Sequence, residues 1–481
     1  MLKITKKLIF GEKNVHLQDF GGREIRTFQK SDFLTSGGRY RVTEALLGKL
    51  SGKLLIEIDV PIEVEVTFEA QINANVKGAI AHANADGAIA NANVKDVIAH
   101  ADAKGAIANA KRRGAIAHAN VEGAEAYADA EGAIANANAD GAEAYADVPG
   151  AKAYADAPGA GANANERGSE AHANADGAKA YANADGAKAY ANADGSKAYT
   201  YESEAEAHAK VRGAEAHADA DGAKAYANVD GAEAYANIRG AKAYAKVRGA
   251  EAYANAPGAE AYAIVRGAIA YAKWRVSKAY AIVRGSEACA IVQGSEAHAN
   301  APGAIAHANT RGAKAYANVP GAKAYANFPE AQAHADADGA IAYANELGAI
   351  AYANELGAIA HAKVRGAIAR AKADGSEAHA KVRGAEAYAD ESGSKAYAIV
   401  RGSEAHATER RAEAHANARG AKAYANARGA EAHADAEGAK AYANAPEAKA
   451  YANVDGAEAY VKWFGAKAYA TVPGALVIKL L

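Results

Sequence analysis

The sequence predicts an all-β fold: a β-solenoid of stacked nonapeptides with an alanine core, preceded by a β-rich N-terminal capping domain. Three observations predict it. Residues 78–473 are forty-four nonapeptides laid end to end without an insertion or deletion. A fixed period of this kind means one structural unit stacked many times. The consensus is Gly-Ala-(Lys/Glu/Ile)-Ala-(Tyr/His)-Ala-(Asn/Asp/Lys)-(Ala/Val)-x, so positions two, four and six are small and apolar. Alternation with period two is the strand signature, because successive side chains point to opposite faces. Lastly, eight of the nine prolines fall at position nine, and six of those precede glycine. Pro-Gly suits the central residues of a type II turn, with proline presetting φ and glycine supplying φ > 0.

Alanine is a strong helix former, yet a helix would scatter these alanines around its whole circumference and leave no apolar stripe. The pattern outweighs the propensity.

The elements follow in chain order. Residues 1–68 read as a cap and attachment domain. They hold most of the Phe and Leu, among them Leu2, Leu8, Phe10, Leu17, Phe20, Phe28, Phe33, Leu46, Leu47 and Leu50. Ile56, Ile58, Val60, Ile62, Val64, Val66 and Phe68 alternate with mostly polar neighbours and read as one or two strands. Glu69 to Lys77 is a degenerate repeat, so large apolar residues taper into alanines. The end units of a solenoid must cover its core and block edge pairing.

The solenoid is expected over 69–473. A strand-and-corner unit of nine residues needs a partner sheet, so two units per coil are expected, with the alanine faces meeting. One unit per coil is the alternative, but it leaves little room for two strands and two corners. An alanine interior implies sheets closer than the usual ~10 Å. Position one is Gly except at Asp96, Glu204, Val276, Glu330, Arg411 and Glu447. Those corners must use another turn or accept strain of about 1 kcal/mol or more. Residues 474–481 are short and apolar, and read as a C-terminal cap that either folds back as a plug or stays adhesive.

The nonapeptide period and the eighteen-residue coil resemble the calcium-binding β-roll repeats of secreted bacterial toxins. The Gly-Gly-x-Gly-x-Asp signature of that family is absent from every unit. Its calcium site and secretion route therefore do not carry over. The small-residue alternation is also similar to that of trimeric adhesin heads, which differ in period.

Composition excludes several classes. A formal charge of −2 lacks the basic excess of a nucleic-acid-binding surface. Cys289 is the only cysteine, so there is no disulfide framework and no cysteine-based metal site. No apolar stretch reaches the ~18 residues of a membrane span. The first residues have only three consecutive apolar positions, Leu8 to Phe10, too few for a signal-peptide core. Synthesis in the cytoplasm with release as a virion or surface component is compatible with this.

No catalytic residue is expected. The carboxylates repeat on a flat face, whereas acid–base work needs a dry, concave pair. Gly21-Gly22 and Gly37-Gly38 are turn signals and not a phosphate loop. Position five holds 24 Tyr and 14 His. Stacked His could bind transition metals, but no carboxylate pattern is evident beside them, and drift from Tyr codons explains their presence. Neither a metal nor a cofactor is expected. Position three, mostly Lys, Glu or Ile, suggests charge pairing along one sheet, as in Lys152, Glu170, Lys188 and Glu206. Position seven, mostly Asn or Asp, suggests an amide ladder.

The expected role is a structural rod, fibre shaft or self-associating spacer. The alternative is a binding module. Its flat Tyr/His/Asn face, including Tyr181, Tyr190, Tyr199, Tyr226, Tyr235, Tyr244, Tyr253, Tyr262, Tyr271 and Tyr280, would hold a polymer such as a glycan. Ice binding is disfavoured because Thr occurs in the repeats only at positions 200, 310, 408 and 471. Outward apolar residues suggest side-by-side homo-oligomers. One group is Ile80, Ile89, Ile98, Ile107 and Ile116; another is Ile264, Ile269, Trp274, Ile282 and Ile291.

Overall fold

Positions three to six of every nonapeptide form a strand of four residues, from Ile80–Ala83 in the first unit to Lys467–Ala470 in the last. These assignments come from a computed structural model that describes residues 4–19, 21–48 and 53–480. The chain divides into two units, Met1–Lys242 and Ala243–Leu481. Both are built as a parallel β-solenoid.

Each strand pairs in parallel with the strand two units away in sequence. Ile98–Ala101 lies between Ile80–Ala83 and Ile116–Ala119, with His100 beside His82 and His118. The intervening strand Ile107–Ala110 pairs instead with Ile89–Ala92 and Glu125–Ala128. Two nonapeptides therefore complete one coil, and each residue sits beside the one eighteen places on. The same register recurs in the second unit, where Ile341 faces Ile359 on one sheet and Ile350 faces Ile368 on the other.

Alanines at positions two, four and six are fully buried, as at Ala106, Ala108, Ala110, Ala340, Ala342 and Ala344. Facing strands of the two sheets approach within 8 Å, Cα to Cα. That separation is below the usual ~10 Å because a methyl group is all that fills the gap. Serine at position two is also buried without loss. Ser169 Oγ donates to Glu166 O at 2.5 Å, and Ser286 Oγ to Val283 O at 2.6 Å, so the hydroxyl bonds to its own corner.

The corner is a type II turn. The N–H of position two donates to the C=O of position eight, as from Ala106 to Ala103 at 3.1 Å. The intervening Gly105 has φ 67°. The six non-glycine corners do not adopt another turn. Asp96, Glu204, Val276, Glu330, Arg411 and Glu447 all hold φ between 56° and 68°. The hydrogen-bonded ladders on either side impose the left-handed conformation, at about 1–2 kcal/mol each.

Upstream of the repeats the strands are longer and their interior larger. Ile4–Phe10 pairs antiparallel with Asn14–Asp19, which pairs antiparallel with Glu24–Gln29. Ile4–Phe10 also runs parallel to Lys53–Ile58, and through Ala70–Ala74 that sheet continues into Ile89–Ala92. Tyr40–Val42 and Glu63–Val66 join the other sheet in the same way through Ile80–Ala83. Both sheets thus run across residue 68 without a break. Leu8, Phe10, Phe33, Leu54, Ile56, Ile58, Val64 and Val66 are buried here. The Phe33 ring packs edge-on against Phe10 and Phe28, at 5.4 and 5.5 Å. Leu2, Phe20 and Leu50 lie outside the described residues.

At the other end, Leu476–Lys479 adds a strand beside Glu458–Val461 and does not fold back as a plug. Leu476, Val477 and Leu480 are exposed. Among the described residues, no helix is long and apolar enough to cross a membrane.

Candidate functional site

Because residues eighteen apart are neighbours, each outward position of the repeat becomes a row of side chains running from coil to coil. Position five forms ring stacks. In the first unit Tyr199 stacks on His217 at 4.7 Å and His208 on Tyr226 at 4.8 Å. In the second, Tyr253 stacks on Tyr271 at 5.0 Å and Tyr262 on Tyr280 at 4.9 Å. Interplanar angles in these four pairs are 12–18°. Offset stacking at this spacing is favourable and coincides with the ~4.8 Å rung spacing of a sheet.

The ten tyrosines singled out from the sequence do not make one face. In the first unit Tyr181, Tyr199 and Tyr235 share one sheet, and Tyr190 and Tyr226 the other. In the second unit Tyr253 and Tyr271 share one sheet, and Tyr244, Tyr262 and Tyr280 the other. The eighteen-residue coil sends successive repeats to opposite sides. Stacking also covers the flat faces of these rings: Tyr226 and Tyr253 are only 9% and 8% exposed. Their hydroxyls are engaged too. Tyr145, Tyr235, Tyr253 and Tyr262 donate to the Glu two residues earlier on the same strand. Burial pushes the phenols of Tyr190, Tyr271 and Tyr280 up to about 12.

Position seven forms the expected amide ladder. Asn183 donates to Asn165 Oδ1 at 2.9 Å, and Asn345 to Asn327 Oδ1 at 2.8 Å. The same amide reaches the imidazole one coil back: Asn228 Nδ2 lies 3.3 Å from His208 Nδ1, and Asn327 Nδ2 3.0 Å from His307 Nδ1. Where position seven is Lys, its ammonium covers the ring instead. Lys210 Nζ lies 3.7 Å from the Tyr190 ring centre and Lys363 Nζ 3.8 Å from that of Tyr343. Position three supplies ion pairs such as Lys152–Glu170 at 2.9 Å and Lys395–Glu413 at 3.1 Å.

Irregular positions mark the rest of the surface. Cys289 is buried in its stack and its thiol is pushed up to about 12, chiefly by burial, so it is a poor nucleophile. Arg370 pairs with Asp390 at 3.0 Å and covers the Tyr388 ring. Gly161 and Asn163 interrupt a stack and leave a depression of about 270 Å³ between Tyr145 and Tyr181, with Glu143 and Lys179 at its rim.

The isoleucines also divide between sheets. Ile80, Ile98 and Ile116 form one row, extended by Ile134, while Ile89 and Ile107 pair on the other sheet. The second group makes no row at position three, although Ile264 and Ile282, eighteen residues apart at position seven, are neighbours. Ile269 lies between Glu251 and Glu287. Ile282 and Trp274 are exposed, Trp274 at the corner, and Ile264 and Ile291 are half-buried.

One arrangement escaped the sequence reading, which saw no carboxylate beside the histidines. His82, His100 and Asp102 converge, as do His415, His433 and Asp435. The carboxylate lies twenty residues after the first His, a relation visible only once the coil length is fixed.

No family model matches the chain, and no curated protein matches it. Among solved structures it is similar to a hyper-glycosylated TibA fragment, at 12% identity and a TM-score of 0.12, over 91% of this chain and 97% of that one. It is also similar to a mutant tailspike protein of E. coli bacteriophage HK620 in complex with a pentasaccharide, at 9% identity and a TM-score of 0.12, over 96% and 77%. A third is the mannuronan C-5 epimerase AlgE6 A-module of Azotobacter vinelandii, at 9% identity and a TM-score of 0.11, over 89% and 91%.

Proposed function

We propose that the chain is a non-catalytic structural element, a spacer or shaft that associates with further copies of itself. The observation that carries this reading is how fully the outward side chains satisfy one another. Ring faces stack on rings, amides bond to amides, and Lys pairs with Glu, coil after coil. Such a surface spends its chemistry on its own cohesion. The row Ile80, Ile98, Ile116 and Ile134 is the natural association face, because adjacent isoleucines make a contiguous apolar strip. Sedimentation velocity tests it. Replacing these four by Lys is expected to weaken association and leave the circular dichroism unchanged. A wild-type monomer at micromolar concentration would refute the association.

A second reading, binding of a polymeric ligand such as a glycan, is favoured by one local feature. At Gly161 and Asn163 the stack is interrupted, and the neighbouring Tyr145 and Tyr181 line the opening. A sugar ring could seat there between two aromatic faces. A glycan array with wild type and Gly161→Lys decides this. Saturable binding lost in the variant supports the site; equal binding by both removes it.

A further inference from the structure

Two places in the chain repeat one four-residue arrangement that the ladder rules do not explain. Normally the position-seven amide donates to the imidazole one coil back. Beside His82 and His415 that amide is replaced by a carboxylate, Asp102 and Asp435. An oxygen lone pair then faces the ring nitrogen: Asp102 Oδ2 lies 2.7 Å from His82 Nδ1, and Asp435 Oδ2 2.9 Å from His415 Nδ1. The other ring nitrogen also meets a carboxylate. His82 Nε2 is 2.6 Å from Glu63 Oε1, and His415 Nε2 is 3.3 Å from Glu413 Oε2. Each imidazole is therefore held between two anions.

Further donor atoms gather beside each of these rings. A second imidazole is stacked on each of these: His100 on His82 at 4.4 Å and His433 on His415 at 4.6 Å. Each second ring presents Nδ1 toward an Asn, which also donates to the Asp. Asn120 Nδ2 lies 3.1 Å from His100 Nδ1 and 2.6 Å from Asp102 Oδ1. Asn453 Nδ2 lies 3.2 Å from His433 Nδ1 and 2.7 Å from Asp435 Oδ1. In each triad, one nitrogen from each imidazole and one carboxylate oxygen lie within 4.8 Å of one another. Ligand atoms around a tetrahedral zinc ion are roughly 3.3 Å apart, so shifts of a few tenths of an ångström to about 1.5 Å would close the site. The outer carboxylate Glu413 stands where a metal-bound His commonly donates its free N–H. Of the four His pairs eighteen residues apart in the repeats, 82/100, 100/118, 361/379 and 415/433, only 82/100 and 415/433 carry Asp twenty residues after the first His.

We propose that His82, His100 and Asp102, and independently His415, His433 and Asp435, each bind a divalent first-row transition ion of the zinc class. Two imidazoles and one carboxylate suit such an ion, with water completing the shell. The ion would clamp successive coils, joining two rungs of one sheet through side chains.

Equilibrium dialysis of the full chain against zinc, near neutral pH, reads the assignment directly. Two ions per chain are expected, one in Asp102→Asn and none in Asp102→Asn/Asp435→Asn. Asn is common at this ladder position, so these variants keep the fold, as circular dichroism would verify. His361→Asn is the control. That residue adjoins His379, 5.0 Å away with the rings tilted, but Lys363 and Lys381 occupy position seven beside the pair, so two ions should remain. Zinc retained by the double variant at the wild-type level overturns the proposal. So does a wild type that retains none.

Discussion

Residues 53–74 and the repeats that follow share the same two sheets but fill them differently. In the first, Leu54, Ile56, Ile58, Val64, Val66 and Ile72 point inward; in the second, almost nothing larger than a methyl group does. Burying an Ile side chain contributes roughly 1.5–3 kcal/mol, and an alanine methyl far less. An alanine coil therefore leans on hydrogen-bonded rungs and on the stacked rings outside. The comparison teaches that alternation fixes the strand, while the size of the inward residue sets the separation of the sheets and the source of cohesion.

The largest expected difference between the regions is toward acid. Fourteen of the fifteen histidines lie in the repeats, inside the ring stacks. Burial lowers His172, His298, His307 and His406, and takes His334 down to about 4 with help from Lys314 and Lys372. Below its unfolded pKa of about 6.5 the unfolded chain binds protons that the folded one refuses. Stability should therefore fall as pH drops from about 6.5 toward 4. Near-UV circular dichroism, dominated by tyrosines of the repeats, should show a lower melting temperature at pH 4.5 than at pH 7. His334→Asn should narrow the gap. An unchanged melting temperature would mean that the rings are solvated enough to titrate freely.

Opposite substitutions sharpen the packing side of the comparison. Ile56→Ala opens a cavity among large neighbours and should cost about 2–5 kcal/mol. Ala342→Leu forces bulk between strands that approach within 8 Å, at about 1–3 kcal/mol or more. Urea unfolding measures both. If Ala342→Leu were neutral, the sheets could separate locally and the alanine core would not set their spacing.

How much of this was legible in the sequence depended on how local the information is. Strand, corner and inward face were all readable within nine residues. The two-unit coil followed from the room two strands and two corners need. From that period the amide ladder and the Lys–Glu pairs could be placed, as Asn183–Asn165 and Lys152–Glu170 show. The triads were not readable in the same way. His82 and Asp102 belong to different repeats, so scanning unit by unit records an ordinary His and an ordinary Asp. Their meeting is a property of the coil. The division of the tyrosines between sheets was missed for the same reason: Tyr181 and Tyr190 are alike in sequence and outward on opposite sides.

The smallest expected effect concerns the corners, where the six exceptions differ from their neighbours only in side chain. Val276 holds φ 68°, a few degrees below the glycines beside it in the chain, Gly267 at 76° and Gly285 at 74°. A β-branched residue is poorly suited to that region, so the hydrogen-bonded strands on either side hold it there. Val276→Gly should relieve the strain. Glycine's greater freedom in the unfolded chain offsets part of the gain, leaving about 0.5–1 kcal/mol. The reverse change is cleanest at Gly105, whose φ is also positive and where an added Cβ meets nothing within 4 Å. Gly105→Val should therefore report the conformational cost alone, about 1–2 kcal/mol. Equilibrium unfolding of the two variants gives the pair of numbers. Opposite signs support a corner dictated by the sheets; a loss in Val276→Gly would show that the valine side chain makes a stabilising contact that outweighs its backbone strain.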